Sequence, residues 1–368
     1  MKIVSIVGTR PNFIKLAALI GEIKKHKIEH ILIHTGQHYD ACMSHLFFNE
    51  LGLPKPDKHL AIQPDLNGSE QKKFLKAAIK AALERQKPKP DLVIVVGDVN
   101  STVAGAEAAH ELGIKVAHVE SGLRSFDKTM PEEINRIRTD EISDFLFTTE
   151  KSGNENLLKE GIGKDKIFFV GNVMIDTLLK HKEKSQASSI LSKLKLNKNN
   201  YAVLTLHRPS NVDTKEGFEN ILSILEKIQE KIKIVFPVHP RTKKNIESFK
   251  LNEKIKNMKN LIITEPLGYL DFMHLMAKSK LVLTDSGGIQ EETTVLGVPC
   301  ITLRKNTERP VTVEQGTNLL VSTDKNEVIK KSLEIIDANM VKNKTMPELW
   351  DGKAGQRIIK ILLERFKK

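Results

Sequence analysis

The chain has 368 residues, 40% of them hydrophobic and 28% charged, which is too long for one core and too evenly mixed for a disordered or membrane-embedded chain, so two globular domains are expected. The net charge of +12 does not imply nucleic acid, because lysines such as Lys72, Lys73, Lys76 and Lys80 are spread over helix faces and aromatics are sparse; a solvated, lysine-rich surface is the better reading. Cys42 and Cys300 allow no disulfide framework and no zinc spacing, and a strand that begins at Lys2, with no run of about eighteen apolar residues after it, points to a cytoplasmic protein without leader or membrane span.

Residues Lys2 to Val7 read as a strand, and GTRPNF turns from it into a helix whose apolar positions are Phe13, Ile14, Ala17, Ala18 and Ile20. Arg10 and Lys15 therefore gather at one strand's C-terminal end, the edge where open α/β sheets bind ligands. HILIHTG is the next strand and delivers Gln37, His38 and Tyr39 to the same edge. An amphipathic helix is expected from Ser69 to about Arg85, then the strand DLVIVVG ending in Asp98, a helix from Ser101 to Leu112, and the strand KVAHVE ending in Glu120. Pro131 suits the first position of a helix that carries Glu132, Glu133, Asn135 and Arg136. FLFTT, a helix, KIFFVG and a helix after Val173 close the first alternation.

Residues 182–200, rich in Lys, Ser and Asn, read as a linker. A second alternation with the same grammar runs through YAVLTLH, KIVFPVH, NLIITEP, KLVLTDS, PCITLR and NLLV, the pattern of a second doubly wound parallel sheet. The expected domains are 1–181 and 201–353, with an amphipathic helix at 354–368 packing back on the first. Cys300, inside VPCITL, reads as inert core.

The stretch LVLTDSGGIQEETT, Leu281 to Thr294, is a strand, a tight turn and a helix start. The glycines let backbone approach a ligand, and the helix's unpaired N–H groups face the same space, so the turn is either an ordinary αβ connection or an anion site suited to a diphosphate. Glu291 and Glu292 suit the helix dipole, and a carboxylate there also suits a ribose hydroxyl. Asp98 has a second reading as a helix cap, as have Glu132 and Glu133 as first-turn acids, and His207 and His239 as structural histidines at strand ends. Glu120 after an apolar strand is harder to explain away, since a buried carboxylate needs a partner.

GTRPNFIK, TGQHYD, GDVNST, HVESGLRS, PEEINR, TLHRPSNV, PVHP, EPLGYLDF, TDSGGIQEE and TERPVTVEQGTN, in this order across nearly the whole chain, resemble the non-hydrolysing UDP-N-acetylglucosamine 2-epimerases. The resemblance implies two Rossmann-like domains in the glycosyltransferase-B arrangement with a cleft between them. It also implies a homodimer and the interconversion of UDP-GlcNAc and UDP-ManNAc without metal, nicotinamide or other cofactor. Carried over by motif, Arg10, Lys15, His207, Ser286, Gly287, Gly288, Glu292 and Arg309 look like nucleotide-sugar contacts, with Leu267 and Phe272 flanking the nucleotide. Asp98, Glu120 and Glu132 are similar to the catalytic carboxylates, with His207 beside them. Gln37, Arg208 and His239 match positions where some members bind an activating second UDP-GlcNAc. Three positions depart from the family pattern: Asn12 replaces a common Glu, and Asp40 and the pair Pro209-Ser210 differ in the segments tied to that activation.

The implied chemistry suits these residue types. The C2 proton is not next to a carbonyl, so breaking the C1–O bond to UDP first makes it acidic and gives a 2-acetamidoglucal; protonation of the other face and return of UDP complete the inversion. Cations and backbone donors hold the diphosphate, and neighbouring carboxylates share acid and base duties. Two relatives in chemistry compete: a hydrolysing 2-epimerase releasing ManNAc and UDP, and a glycosyltransferase of the same fold. A non-catalytic sensor of nucleotide sugars is disfavoured, since it needs the phosphate contacts but not the carboxylates.

Overall fold

LVIVV at Leu92–Val96 is apolar at every position and buried throughout, a pattern that only a strand covered on both faces tolerates. It is the centre of the first of two parallel sheets. The computed structural model describes residues 1–37, 48–60, 68–337 and 345–367, so His38, Tyr39, Asp40 and Cys42 lie outside the described residues. The chain divides into two compact units, Met1–Lys180 with Glu348–Lys368, and His181–Pro347.

In unit 1 the order is β1 (Lys2–Val7), α1 (Arg10–Lys25), β2 (Glu29–His34), β3 (Lys58–His59), α2 (Gly68–Glu84), β4 (Leu92–Val96), α3 (Asn100–Glu111), β5 (Lys115–Ser121), α4 (Pro131–Ile142), β6 (Phe145–Thr148), α5 (Lys151–Lys159), β7 (Ile167–Phe169) and α6 (Val173–Ser185). The strands lie in the order β3-β2-β1-β4-β5-β6-β7, every pair parallel. Val4, Ile6, Val93 and Val95 of the sheet meet Leu75 and Ile79 of α2 and Ala104 and Ala108 of α3, all buried. Each fully buried Val, Leu or Ile side chain there contributes about 1.5–3 kcal/mol. The expected strands appear, and Pro131 opens α4 as the sequence predicts. The strand at Lys58–His59 was not expected, because two residues carry no readable period.

Unit 2 takes over within α6, at His181, and its next element is a short helix, α7 (Ile190–Lys193), inside the stretch expected as linker. Ile190 and Leu196 are buried with Tyr201, Val203 and Leu275, so the connection is folded onto unit 2 instead of standing free. It continues with β8 (Tyr201–Thr205), α8 (Pro209–Val212), α9 (Lys215–Ile228), β9 (Lys233–Pro237), α10 (Pro240–Ser248), α11 (Asn252–Lys256), β10 (Leu261–Thr264), α12 (Tyr269–Ala277), β11 (Leu281–Thr284), α13 (Gly287–Leu296), β12 (Cys300–Leu303), α14 (Pro310–Glu314), β13 (Asn318–Val321) and α15 (Lys325–Asp337). The six parallel strands follow the order β10-β9-β8-β11-β12-β13, the same sequence of steps as in unit 1.

The last helix, α16 (Ala354–Phe366), belongs to unit 1 and lies on α1. Asp176 of α6 accepts hydrogen bonds from the N–H groups of Ala354 (3.1 Å) and Gly355 (2.7 Å), two of the donors that a helix start otherwise leaves unpaired. Trp350, 1% exposed, donates its Nε1–H to the Thr149 carbonyl at 2.9 Å.

Each sheet reverses direction of growth once: between β1 and β4 in unit 1, and between β8 and β11 in unit 2. The crevice outside the C-terminal ends of such a strand pair is where doubly wound sheets take ligands.

Candidate active site

In unit 1 the reversal point is built by four short segments. Asn12, 1% exposed, accepts from the N–H groups of Gly8 and Thr9 (both 3.1 Å) and donates to the Val96 carbonyl at 3.0 Å, which stitches the end of β1 to the end of β4. An ionised Glu at this position could accept but not donate, so the departure from the family pattern fits a structural contact. Gly97 follows β4 with φ +71°, and a Cβ there would stand 3.0 Å from the Lys15 ammonium; the site of a left-handed residue and a close cation is one that glycine fills without strain.

One turn into α1, Lys15 places Nζ 2.6 Å from Oε2 of Glu120, with only 5% and 1% of the two side chains exposed. Glu120 sits on β5 at a break in register between Val119 and Ser121, and its backbone is left-handed, φ +71°. For a residue with a Cβ that conformation costs about 1–3 kcal/mol and is held only by its surroundings. Arg136 of α4, 1% exposed, is what holds it: Nη1 donates to the Glu120 carbonyl, and Nη2 to Oε1 of the same residue at 3.2 Å. Nη2 also donates to Oδ2 of Asp98, which is the more open of the two carboxylates at 19%. Asn135, one residue earlier, donates to the Asp98 carbonyl at 3.0 Å. Two carboxylates are thus balanced by two cations, and removing either cation would leave a buried charge uncompensated, at a cost of about 3–5 kcal/mol.

A second buried layer supports this one. His118 donates Nε2–H to the Gly97 carbonyl (2.8 Å) and faces Oδ1 of Asp140 with Nδ1 (2.6 Å). Asp140 also takes Arg124 at 2.7 Å and the Gly122 N–H at 3.1 Å. Burial alone would raise the Asp140 carboxyl, but His118 and Arg124 outweigh it and hold it below the ordinary range.

The remaining predicted residues of unit 1 differ in their settings. Arg10 is half-buried at the start of α1. Glu132 is half-buried, and among the described residues no hydrogen bond joins it to Asp98, Glu120, Lys15 or Arg136. Its neighbour Glu133 is the buried one, accepting from Ser125 N–H and Oγ (both 2.8 Å) and Phe126 N–H (3.1 Å), so it clamps the loop before α4. Gln37 accepts from the Ser101 N–H (2.9 Å) and Oγ (2.7 Å) at the start of α3.

In unit 2 the corresponding point is organised by Asp285, fully buried at the end of β11. It accepts from the N–H groups of His207 (3.1 Å) and Arg208 (3.0 Å) and from Asn211 Nδ2 (3.0 Å), and lies 2.9 Å from His207 Nδ1. Burial pushes its carboxyl up, but His207, the Arg208 N–H and Asn211 together hold it low. With Nδ1 engaged and 53% of its side chain exposed, His207 keeps Nε2 for other partners. Ser286 is the N-cap of α13, and the N–H groups that follow at Gly287 and Gly288 open the helix.

The Arg309 guanidinium lies directly over Gly287, where a Cβ would collide with it. A cation beside the positive end of a helix is unfavourable by itself. Glu291 takes Arg309 Nε at 2.7 Å and Glu308 takes Nη1 at 2.6 Å, while Arg304 and Arg208 reach the same Glu308 at 3.2 and 3.5 Å. Burial and the neighbouring guanidiniums of Arg208 and Arg309 hold Arg304 below its ordinary value, against the pull of Glu308. Three guanidiniums that share Glu308, beside a helix start, form a site with a surplus of positive charge.

Glu292, next to the ion-paired Glu291, is in the opposite state. Burial, with Glu291 adding to it, pushes its carboxyl up to about 8, although Tyr269 donates to it at 3.2 Å. At neutral pH it is a neutral acid that can both donate and accept, as recognition of a hydroxyl requires. Leu267 and Phe272 lie half-buried against the core under α12. His239 is exposed at the N-cap of α10, where Nδ1 accepts from the Arg241 N–H at 3.3 Å. Among the described residues no group of three or more His, Cys, Asp or Glu could hold a metal ion.

Sequence reasoning did not assign Arg136, Asp285, Arg304 or Glu308. Asp285 had a signal, a lone acid closing an apolar strand one residue before the glycine turn. Arg136 had a weaker one, an arginine four residues after Glu132 on the same helix face.

Residues 21–363 match the family described as UDP-N-acetylglucosamine 2-epimerase. The UDP-N-acetylglucosamine 2-epimerase of Methanocaldococcus jannaschii is 47% identical over 367 residues, 98% of this chain and 99% of that protein. A UDP-N-acetylglucosamine 2-epimerase homolog of Methanococcus maripaludis is 46% identical over 364 residues, again 98% and 99%. The crystal structure of the M. jannaschii enzyme in complex with UDP-GlcNAc and UDP superposes with a TM-score of 0.91 at 45% identity, covering 99% of this chain and all of that one.

Proposed function

The chain belongs to the UDP-N-acetylglucosamine 2-epimerase family, and from that premise we propose how its residues interconvert UDP-GlcNAc and UDP-ManNAc by elimination and re-addition of UDP. Unit 2 holds the leaving group. The N–H groups after Ser286 at Gly287 and Gly288, together with Arg309, take the diphosphate, and His207, oriented by Asp285, offers Nε2 to it. Glu292 takes a ribose hydroxyl, and Leu267 and Phe272 flank the base. Charge on the departing diphosphate grows as the C1–O bond breaks, so donors fixed in advance stabilise that stage more than the ground state.

Unit 1 carries the proton work. Asp98 and Glu120 serve as acid and base at C2, with Lys15 and Arg10 as the nearby cations and Glu132 as a third carboxylate brought in by substrate. The observation that carries this reading is the pair of carboxylates bridged by one guanidinium next to Lys15, an arrangement that an anion-binding module has no need of.

Incubation with UDP-GlcNAc in heavy water tests it. Deuterium at C2, UDP-ManNAc approaching equilibrium and no build-up of free UDP are expected. ManNAc and UDP in equal amounts would make the enzyme a hydrolysing epimerase, and turnover only on adding a sugar acceptor would make it a glycosyltransferase.

Assembly as a homodimer and a cytoplasmic location complete the proposal. The first follows from the resemblance and is read by sedimentation. The second fits a nucleotide-sugar substrate and a chain in which no described helix is long and apolar enough to cross a membrane. Gln37, Arg208 and His239 are the proposed contacts for an activating second UDP-GlcNAc; initial rates hyperbolic in substrate would remove that role.

A further inference from the structure

We propose that Arg136 is a positioning residue that keeps Asp98 and Glu120 apart and correctly aimed, so that neither can hand its proton to the other. The inference rests on the epimerase reading, because it assigns Arg136 a task only if those two carboxylates do the chemistry. Charge balance calls for a cation at this place but not for a guanidinium, since Glu120 also has Lys15 at 2.6 Å and Asp98 keeps 19% of its side chain exposed.

What Arg136 adds is geometry. A single atom, Nη2, donates to Asp98 Oδ2 and to Glu120 Oε1, so the guanidinium engages one oxygen of each carboxylate and favours the ionised form of both over a shared-proton pair. Nη1 meanwhile donates to the main-chain carbonyl of Glu120, the residue whose backbone is left-handed at φ +71°. The same helical turn fixes the other carboxylate by its main chain, through Asn135 Nδ2 and the Asp98 carbonyl at 3.0 Å. One turn of α4 therefore grips the ends of β4 and β5 by backbone and by side chain. Inversion needs a base on one face of the sugar and an acid on the other, the base free of a proton and the acid holding one until its step. The guanidinium supplies that by holding both carboxylates with Nη2 and the Glu120 carbonyl with Nη1 at once, whereas an ammonium lacks the planar pair of nitrogens.

The test uses the full chain with Arg136→Met, Arg136→Lys and the double variant Glu120→Gln/Arg136→Met. Arg136→Met is expected to lower kcat about 100-fold, in the range of a lost acid–base contribution, with UDP affinity unchanged within about 3-fold, since UDP contacts are assigned to unit 2. Arg136→Lys recovers only part of the rate. In the Glu120→Gln background, adding Arg136→Met changes the residual C2 exchange by less than about 3-fold, because a residue acting through Glu120 has little left to lose. Wild-type kcat in either folded single variant overturns the proposal, as does equal loss of kcat and UDP affinity, or losses that multiply in the double variant. If Arg136→Met does not fold, Arg136→Lys decides alone: a fall in kcat of about 10-fold or more at unchanged melting temperature and UDP affinity supports the role, and a smaller fall rejects it. Wild-type deuterium exchange at C2, run alongside, separates failure of this inference from failure of the epimerase reading.

Discussion

Glu292→Gln should make unit 2 more stable as the pH rises, relative to the wild type. Burial and the nearby Glu291 raise the Glu292 carboxyl to about 8, whereas in the unfolded chain it titrates near 4.3. Between those values the folded state binds a proton that the unfolded state does not. The stability this group contributes is therefore fully present below the unfolded value and is lost as the pH climbs through the folded one. The slope is about 1.4 kcal/mol per pH unit inside the window, so from pH 5.5 to 7.5 the wild type loses roughly 2–3 kcal/mol that the glutamine variant keeps. Glutamine retains an acceptor for the Tyr269 hydroxyl, which donates to Glu292 at 3.2 Å, and cannot ionise. For a domain of this size each kcal/mol moves the melting temperature by about 2–4 °C. Thermal melts of both proteins at pH 5.5, 6.5 and 7.5 should then show the variant's advantage widening by roughly 5–10 °C across the series. Every other titrating group is common to the two proteins and cancels in the difference. Parallel melting curves would mean that Glu292 is ionised throughout, and the neutral-acid account of hydroxyl recognition would go with it.

Glu120→Gln should reduce turnover far more than UDP affinity, since it removes proton-transfer capacity at nearly constant volume; equal losses in a titration and a rate assay would make Glu120 a binding residue. Arg309→Ala should weaken UDP by about 1.5–3 kcal/mol, the worth of a charged hydrogen bond, measured by calorimetry well below the melting transition because Glu291 and Glu308 lose a partner too. Unchanged UDP affinity would take Arg309 out of the phosphate site. Asp285→Asn turns one of its acceptor oxygens into a donor facing the N–H groups of His207 and Arg208. At least one buried donor is then unsatisfied, at a cost of about 1–3 kcal/mol, and the rate should fall with stability because His207 loses its anchor. A melting temperature within a degree of the wild type would show that Asp285 is replaceable.

The alternation of apolar runs with amphipathic stretches made both sheets legible, and with them the residues that close each strand: Asp98, His207 and the Ser286 turn fall where a doubly wound sheet reverses, and Glu120 one strand further on. Partners that depend on packing between distant segments were not legible. Arg136 reaches Asp98 and Glu120 across strands β4 and β5, and no spacing along the chain announces that. The two neighbouring pairs of glutamates make the same point. Glu133 clamps a loop while Glu132 stands apart, and Glu291 is ion-paired while Glu292 is neutral, yet in the sequence each pair is simply two acids at a helix start. Asn12 carried a resemblance-based oddity whose cause, a donor aimed at Val96, appears only when β1 and β4 lie side by side.

The grip of Asp176 on the first residues of α16 sets an order of events during synthesis. Unit 1 opens the chain, but the helix that covers α1 emerges from the ribosome only after all of unit 2 has been made. Vectorial folding, in which the earliest domain finishes first, is therefore left one helix short in this protein: the first sheet is fully made early, but Asp176 and the side of α1 that meets α16 stay uncovered until the inserted half has been translated. A chaperone that shields a nascent chain would find its longest-lived target in the part made first.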